Sequence, residues 1–181
     1  MVLECSTFED NNFISTMKTS MTLFGCGPKL ALLCLPYIIL SLIVKFRYPE
    51  FFDLKFLDSS VVQILGIVWL GLGIIFWVYS AIFFLKYFEN GKLITKGPFS
   101  LCRNPIYSSI IVFLIPSLAL IFHSGILFSI SLVLYLGFKI SIHGETNVLR
   151  RIFEKEYENY EKSVNEIIPF PRYFFRGKSI K

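Results

Sequence analysis

The sequence has few groups suited to metal or nucleophilic chemistry. Only two of its 181 residues are histidine and only four are cysteine. No CxxC motif, and no cysteine–histidine pair at zinc spacing, occurs in it. No Ser/His/Asp set or Cys/His pair indicates a nucleophile with its base, which argues against a hydrolase. We therefore expect no metal site, and we interpret the cysteines as small apolar fillers (Cys5, Cys26, Cys34, Cys102).

Charge is also scarce. Charged residues make up 17% of the chain and hydrophobic residues 54%, with a mean hydropathy of +0.62. This composition is too apolar for an ordinary soluble domain and predicts a membrane protein with several spans. The net charge of +5 is not accompanied by a basic stretch interleaved with aromatics, so we expect no nucleic-acid partner. The acidic, polar start lacks the basic region of a secretory signal peptide.

Long uncharged runs predict the fold class, an all-α polytopic membrane helix bundle with about four transmembrane helices. The predicted spans cover residues 30–44, 61–85, 106–122 and 124–142. His123, Ser124 and Gly125 are the expected turn between the last two, and Pro116 is expected to kink the third. In the second span, the glycines are expected to allow close helix contact (Gly66, Gly71, Gly73).

The distribution of basic residues predicts the orientation of these spans. Fifteen of the eighteen Lys and Arg side chains fall on the side that carries both termini and the loop of residues 86–105. The positive-inside rule makes that side cytoplasmic. The expected localisation is an integral, multi-pass membrane protein with cytoplasmic N- and C-termini, in either a plasma or inner membrane or the endoplasmic reticulum.

The chain divides into a polar N-terminal segment, residues 1–22, and a single membrane-embedded domain, residues 23–181. After the fourth span, apolar residues recur at spacings of four and three, which predicts a cytoplasmic amphipathic helix with one apolar face. This helix is expected to start near Glu145 and to end before Pro169. The face comprises Glu145, Leu149, Phe153, Tyr157, Tyr160 and Val164.

A second unusual segment, KGPFSLCRNPIYSS, precedes the third span. It combines rigid Gly-Pro and Pro turns with a guanidinium, an amide and a phenol, none of which a linker requires. Because the third and fourth spans form a hairpin, Arg103 and Glu145 are expected to lie close together. We interpret this region as part of a pocket for a charged cofactor.

These two segments resemble the isoprenylcysteine carboxyl methyltransferase-like family. GPF-x3-RNPIY resembles that family's G-P-[YF]-x3-R-[HN]-P-x-Y signature, and the tail follows its E-E-x2-L-x3-F-G-x2-Y-x2-Y pattern, which continues to a Val and to I-P. The matching region covers residues 92–169, nearly half of the chain.

The resemblance implies an integral-membrane methyltransferase that uses S-adenosylmethionine and a lipid-like or prenylated acceptor, either a small molecule or a protein. By the same resemblance, Arg103, Tyr107 and Glu145 are the candidate catalytic residues. Arg103 would hold the cofactor carboxylate, Glu145 its amino group or ribose diol, and a tyrosine its adenine or sulfonium. The cofactor-binding residues would be Gly97, Arg103, Asn104, Pro105, Tyr107, Glu145, Leu149, Tyr157 and Tyr160.

Three positions depart from the family pattern. Thr146 replaces the second Glu, Glu154 replaces the Gly after Phe153, and Ser109 replaces a Gly after the Tyr107 position. Two alternatives therefore remain open. Sterol reductases carry a similar R-[HN]-P-N-Y-x-G stretch, which would imply NADPH as the cofactor. A non-catalytic member of the family is the other alternative.

Overall fold

The computed structural model describes residues 27–48, 52, 59–88 and 92–170, and this part of the chain has four helices and no strand. The helices are α1 (Gly27–Arg47), α2 (Ser59–Phe88), α3 (Pro105–Ile121) and α4 (Gly125–Ser163), with a 3-10 turn at Gly97–Ser100. The polar segment 1–22 and most of the loop between α1 and α2 lie outside the described residues. The division at residues 22 and 23 therefore stays a prediction.

The helices confirm the all-helical membrane class that the sequence predicts. Three of them, α1, α2 and α4, are long and apolar enough to cross a bilayer, whereas α3 is a shorter apolar helix. Most side chains of α1 and α2 are exposed, as expected for surfaces that face lipid rather than water. A count of four spans remains a prediction, because α3 is near the lower limit of length.

Two glycines bring α2 and α3 into close contact. A Cβ atom at Gly73 would lie 2.7 Å from Cβ of Phe113, and one at Gly66 would lie 2.8 Å from Cγ1 of Ile121. Small residues at such positions let helix backbones approach closely in a membrane. The prediction for Gly71 is wrong, because a Cβ there would meet nothing within 4 Å.

The irregularity in α3 comes just before Pro116, the expected kink. Residues Ser109–Leu114 form a π-helical segment within α3. Pro116 has no N–H, so it cannot donate the α-helical hydrogen bond to the Val112 carbonyl. The indole N–H of Trp69 in α2 donates to that carbonyl oxygen instead, at 3.0 Å. The ring of Trp69 also stacks on Phe113, with centroids 5.1 Å apart.

The core of the bundle lies where α1 and α3 pack against α4. Gly137 of α4 faces α1, where a Cβ would come within 2.7 Å of the Cys34 sulfur. About one turn further along α1, the hydroxyls of Tyr37 and Ser129 are hydrogen bonded at 2.7 Å. Phe138 is fully buried at the centre of the apolar cluster. This packing fixes α4 relative to α1 and α3 and so positions the segment that follows it.

The turn between α3 and α4 is confirmed at residues 122–124, with His123 at φ 48°. The predicted separation between a fourth span and a tail helix is wrong, because α4 continues as one helix from the predicted span through Glu145. The prediction of one regular helix from near Glu145 with all its apolar residues on one face is wrong, because Glu154 has φ 38° and ψ −115°, and the helix turns there. The residues after Glu154 therefore pack back against those before it. The helix ends at Ser163, so Val164, the last residue of the predicted face, lies beyond it.

Candidate functional site

The loop before α3 is shaped by its Gly-Pro pair. Gly97 has φ +63°, a left-handed conformation that favours glycine, and a Cβ there would lie 2.6 Å from the ring of Phe83. Pro98 is buried directly after it, and Pro105 is buried at the first position of α3, where its missing N–H leaves no hydrogen bond unmade. These rigid residues fix the backbone that carries Arg103 and Asn104.

This loop is paired with the segment that follows α4. The backbone N–H of Arg103 donates to the Asn165 carbonyl at 2.8 Å, and that of Asn104 to the Glu166 carbonyl at 3.1 Å. The side-chain amide of Asn104 also donates to the Glu166 carbonyl, at 3.2 Å. The sequence-predicted RNP motif and the end of the tail therefore form one structural unit.

The corner at Glu154 folds the tail aromatics against the same loop. Tyr157, Tyr160 and Val164 are buried together, with Leu93, Leu149 and Phe153 packed against them. The hydroxyl of Tyr160 donates to the Phe99 carbonyl at 2.6 Å. Burial raises the pKa of Tyr160 well above its ordinary value, so this phenol stays protonated and keeps its donor role.

Arg103 lies at the centre of this junction, with its side chain only 8% exposed. Its Nη1 donates to Oε1 of Glu161 at 2.6 Å and to the hydroxyl of Tyr157 at 3.3 Å. Its Nη2 is 4.0 Å from Oε1 of Glu166, which is longer than a hydrogen bond. The buried Nε has no hydrogen-bond partner among the described residues. A buried donor without a partner is costly, and such donors often mark a ligand site.

Two acidic residues without an assigned role in the sequence reasoning complete this ionic network. Oε2 of Glu161 accepts from Nε and Nη2 of Arg150, at 3.1 and 2.9 Å. Glu166 forms an ion pair with Lys139 of α4. Glu161 follows Tyr157 by four residues, which places both on one helix face. That spacing was the available signal in the sequence.

The charges in the network reinforce one another. Burial disfavours the charge on Arg103, but Tyr157 and Glu161 outweigh it, so the pKa of Arg103 is raised. Burial likewise opposes ionisation of Glu161, yet hydrogen bonds from Arg150 and Arg103 lower its pKa below its ordinary value. Both groups are therefore charged at neutral pH. Burial raises the pKa of the neighbouring Cys102 thiol to about 12, which keeps it protonated and unreactive.

The remaining predicted site residues come from α3 and α4. The ring of Tyr107 packs on Phe138, with centroids 5.2 Å apart. Glu145 is half-buried on α4, one turn before Leu149. A hydrogen bond therefore joins Arg103 to Tyr157, whereas Tyr107 lies in α3 and Glu145 in α4. The predicted proximity of Arg103 and Glu145 stays a prediction. Within the described residues, no group of three or more His, Cys, Asp or Glu side chains could hold a metal ion.

Comparison with known families identifies this arrangement. Residues 60–156, more than half of the chain, match the model of the phospholipid methyltransferase family. The chain belongs to this family. The matched region includes α2, the Gly-Pro loop, α3 and most of α4. The matched region therefore contains Arg103, whereas its partners Tyr157 and Glu161 lie just beyond it.

The chain is also similar to two curated proteins from rice, Oryza sativa subsp. indica and subsp. japonica. Both are named probable protein-S-isoprenylcysteine O-methyltransferase. Each is 31% identical over 86 residues, which are 48% of this chain and 45% of the relative. The chain thus spans less than half the length of these relatives. The resemblance to isoprenylcysteine methyltransferases is confirmed. No solved structure matches the chain significantly.

Proposed function

We propose that the protein is an integral-membrane methyltransferase that uses S-adenosylmethionine and acts on a lipid-like acceptor. The family match and the two relatives support methyl transfer. The observation that carries the cofactor assignment is the guanidinium of Arg103, which is buried and keeps Nε without a partner among the described residues. A carboxylate is the natural partner for the edge of the guanidinium that carries Nε.

The residues around the junction fit the chemical groups of S-adenosylmethionine. Arg103 would receive the carboxylate through Nε and Nη2, since Nη1 is taken by Glu161. Glu145 would accept hydrogen bonds from the amino group or the ribose diol. The hydroxyls of Tyr157 and Tyr160 are engaged within the protein, so their rings rather than their hydroxyls would meet the adenine or the sulfonium.

The other predicted cofactor residues would shape the pocket rather than bond within it. Gly97, Asn104 and Pro105 hold the loop in place through backbone conformation and hydrogen bonds to the tail. Leu149 packs beneath the two tyrosines. Tyr107, at the start of α3 and packed on Phe138, would border the acceptor.

The bound cofactor supplies a methyl group that is already activated for displacement. The protein therefore needs mainly to align the acceptor and to exclude water. A carboxylate acceptor requires no general base, whereas an amine must first be neutral. A carboxylate acceptor therefore makes the smaller chemical demand on the site.

The acceptor class rests on two further supports. The rice relatives are named for isoprenylcysteine, a prenylated cysteine carboxylate. The exposed apolar surfaces of the helices would admit a lipid-like substrate directly from the bilayer. We propose four spans with cytoplasmic termini, which places the junction at the cytoplasmic face. Neither the reductase nor the non-catalytic alternative is favoured by the comparisons.

A label-transfer assay tests this function. Purified protein in vesicles would receive methyl-labelled S-adenosylmethionine together with either farnesylated cysteine or phosphatidylethanolamine. We expect label in the farnesylated cysteine as a methyl ester, which base treatment hydrolyses to release volatile methanol. An N-methylated lipid would keep its label in base, so this step separates the two acceptor classes.

Variants of the site residues complete the test. Arg103→Ala and Glu145→Ala should each reduce transfer at least ~100-fold, since each removes a charged contact to the cofactor. Glu158→Ala, an exposed change on the tail helix, is the control and should retain activity. The absence of transfer to either acceptor from folded protein that binds the cofactor would contradict the proposal.

A further inference from the structure

Glu161 is shared between two arginines at the junction. One carboxylate oxygen accepts from Arg103 at 2.6 Å and the other from Arg150 at 2.9 and 3.1 Å. Its side chain is 23% exposed, and Arg150 is 49% exposed. Since both oxygens are engaged, Glu161 is poorly placed to bind a cofactor itself. Its contacts are directed at Arg103 instead.

The contacts of Glu161 fix the orientation of the Arg103 guanidinium. A guanidinium is planar and carries five N–H donors in a rigid fork. With Nη1 held by Glu161 and by the hydroxyl of Tyr157, rotation of the plane would break two hydrogen bonds. The edge formed by Nε and Nη2 is thereby kept in one direction. That edge has the geometry for a bidentate carboxylate contact.

We propose that Glu161 is a positioning residue, which holds Arg103 so that its Nε–Nη2 edge meets the carboxylate of the methyl donor, and that Arg150 fixes Glu161 in turn. This inference rests on the proposed function and assigns a role to two residues outside the predicted site. The negative charge of Glu161 also offsets the buried charge of Arg103 when no carboxylate is bound.

The tail has other attachments to the loop, so the role of Glu161 is separable from folding. Arg103 and Asn104 donate backbone hydrogen bonds to Asn165 and Glu166. The Tyr160 hydroxyl bonds the Phe99 carbonyl, and the apolar cluster around Tyr157 packs beneath it. Loss of the Glu161 charge should therefore leave the tail in place while it frees the guanidinium to rotate.

Calorimetric titration of S-adenosylhomocysteine into the full-length protein tests this role. Glu161→Gln should raise the dissociation constant about tenfold or more, since a charge-assisted contact to Arg103 becomes a neutral one. Glu158→Gln is the matched control, because Glu158 lies on the same helix and forms only an exposed pair with Lys162. It should bind like the wild type.

A kinetic measurement separates positioning from general damage. In the Glu161→Gln variant, KM for the methyl donor should rise about tenfold, while kcat at saturating donor should change less than about threefold. A loss of kcat of about tenfold with an unchanged KM for the methyl donor would overturn the positioning role. So would wild-type binding by a folded Glu161→Gln variant.

Arg150→Gln keeps the inference testable even if Glu161→Gln fails to fold, because Arg150 is half-exposed. It should weaken binding in the same direction by about threefold, and the double variant should bind no more weakly than Glu161→Gln alone. Unchanged binding by Arg150→Gln would refute its role. If the folded wild-type protein bound no S-adenosylhomocysteine, the proposed function itself would fail, whereas wild-type binding without these losses would refute only this inference.

Discussion

Glu154 has a backbone conformation that an L-amino acid rarely adopts. Its φ of 38° with ψ of −115° is easy only for glycine, because a Cβ atom crowds the backbone there. The isoprenylcysteine carboxyl methyltransferase-like family, which the tail sequence resembles, has glycine at this position. Strain of this kind is worth about 1–3 kcal/mol when the surrounding structure enforces it. Here the corner is enforced by the tyrosine cluster and by the hydrogen bond from the Tyr160 hydroxyl to the Phe99 carbonyl.

Replacing this residue by glycine should stabilise the protein. In Glu154→Gly, relief of the strain should exceed the added entropy of the unfolded chain, for a net gain of about 1 kcal/mol. Thermal unfolding of the detergent-purified protein should then shift upwards by about 2–4 °C.

The control for this change is Glu158→Gly, which places glycine within the regular tail helix. That variant should lose about 1 kcal/mol, because glycine is a poor helix former. A lower melting temperature for Glu154→Gly than for the wild type would show that Glu154 is not strained in the folded protein.

At the scale of elements, the contact between α2 and α3 depends on two glycines one heptad apart. Gly73→Val would drive a side chain into Phe113, and Gly66→Val would drive one into Ile121. Each should destabilise the protein by about 1–3 kcal/mol, the range for overpacked cores. Unfolding by heat or by denaturing detergent would measure the loss.

Gly71→Val is a matched control on the same helix, because a side chain there meets nothing within 4 Å. It introduces the same β-branched residue with the same effect on helix propensity. We expect its stability to lie within about 0.5 kcal/mol of the wild type. Equal losses at positions 71 and 73 would mean that propensity rather than packing decides the outcome.

The hydrogen bond from Trp69 to the Val112 carbonyl links the same two helices. Trp69→Phe should destabilise the protein by about 1–2 kcal/mol, since the Val112 carbonyl, one turn before Pro116, loses its indole donor within the membrane. In a Pro116→Ala background, position 116 regains its N–H and can bond that carbonyl. The effect of Trp69→Phe on the melting temperature should then be smaller. The same loss in both backgrounds would contradict this explanation.

For the whole molecule, the sequence predicted the membrane helices because their periodicity and lack of charge are local properties. The hairpin at residues 122–124 and the close contacts at Gly66 and Gly73 followed from composition and spacing. The corner at Glu154 did not, because a regular apolar spacing of four and three looks the same whether the helix continues or turns. Only the tertiary contacts of Tyr157 and Tyr160 with the loop select the turn.

The site was predicted in part for the same reason. The resemblance brought the Gly97–Tyr107 loop and the tail aromatics together, and the structure joins Arg103 to Tyr157 directly. It did not point to Glu161 or Glu166, whose carboxylates meet Arg103, Arg150 and Lys139 only after the tail has folded back. The four-residue spacing from Tyr157 places Glu161 on the same helix face, but spacing alone does not say which distant arginines and lysines these carboxylates meet.

The central claim is that a methyl donor binds at the junction of the loop and the tail through Arg103. Its most direct test is calorimetric titration of S-adenosylhomocysteine into the detergent-purified wild-type protein and into Arg103→Ala. We predict micromolar binding by the wild type and a loss of at least ~100-fold in the variant, as expected for removal of a charge-assisted bidentate contact. Folded wild-type protein that does not bind, or equal binding by a folded Arg103→Ala variant, would contradict the claim.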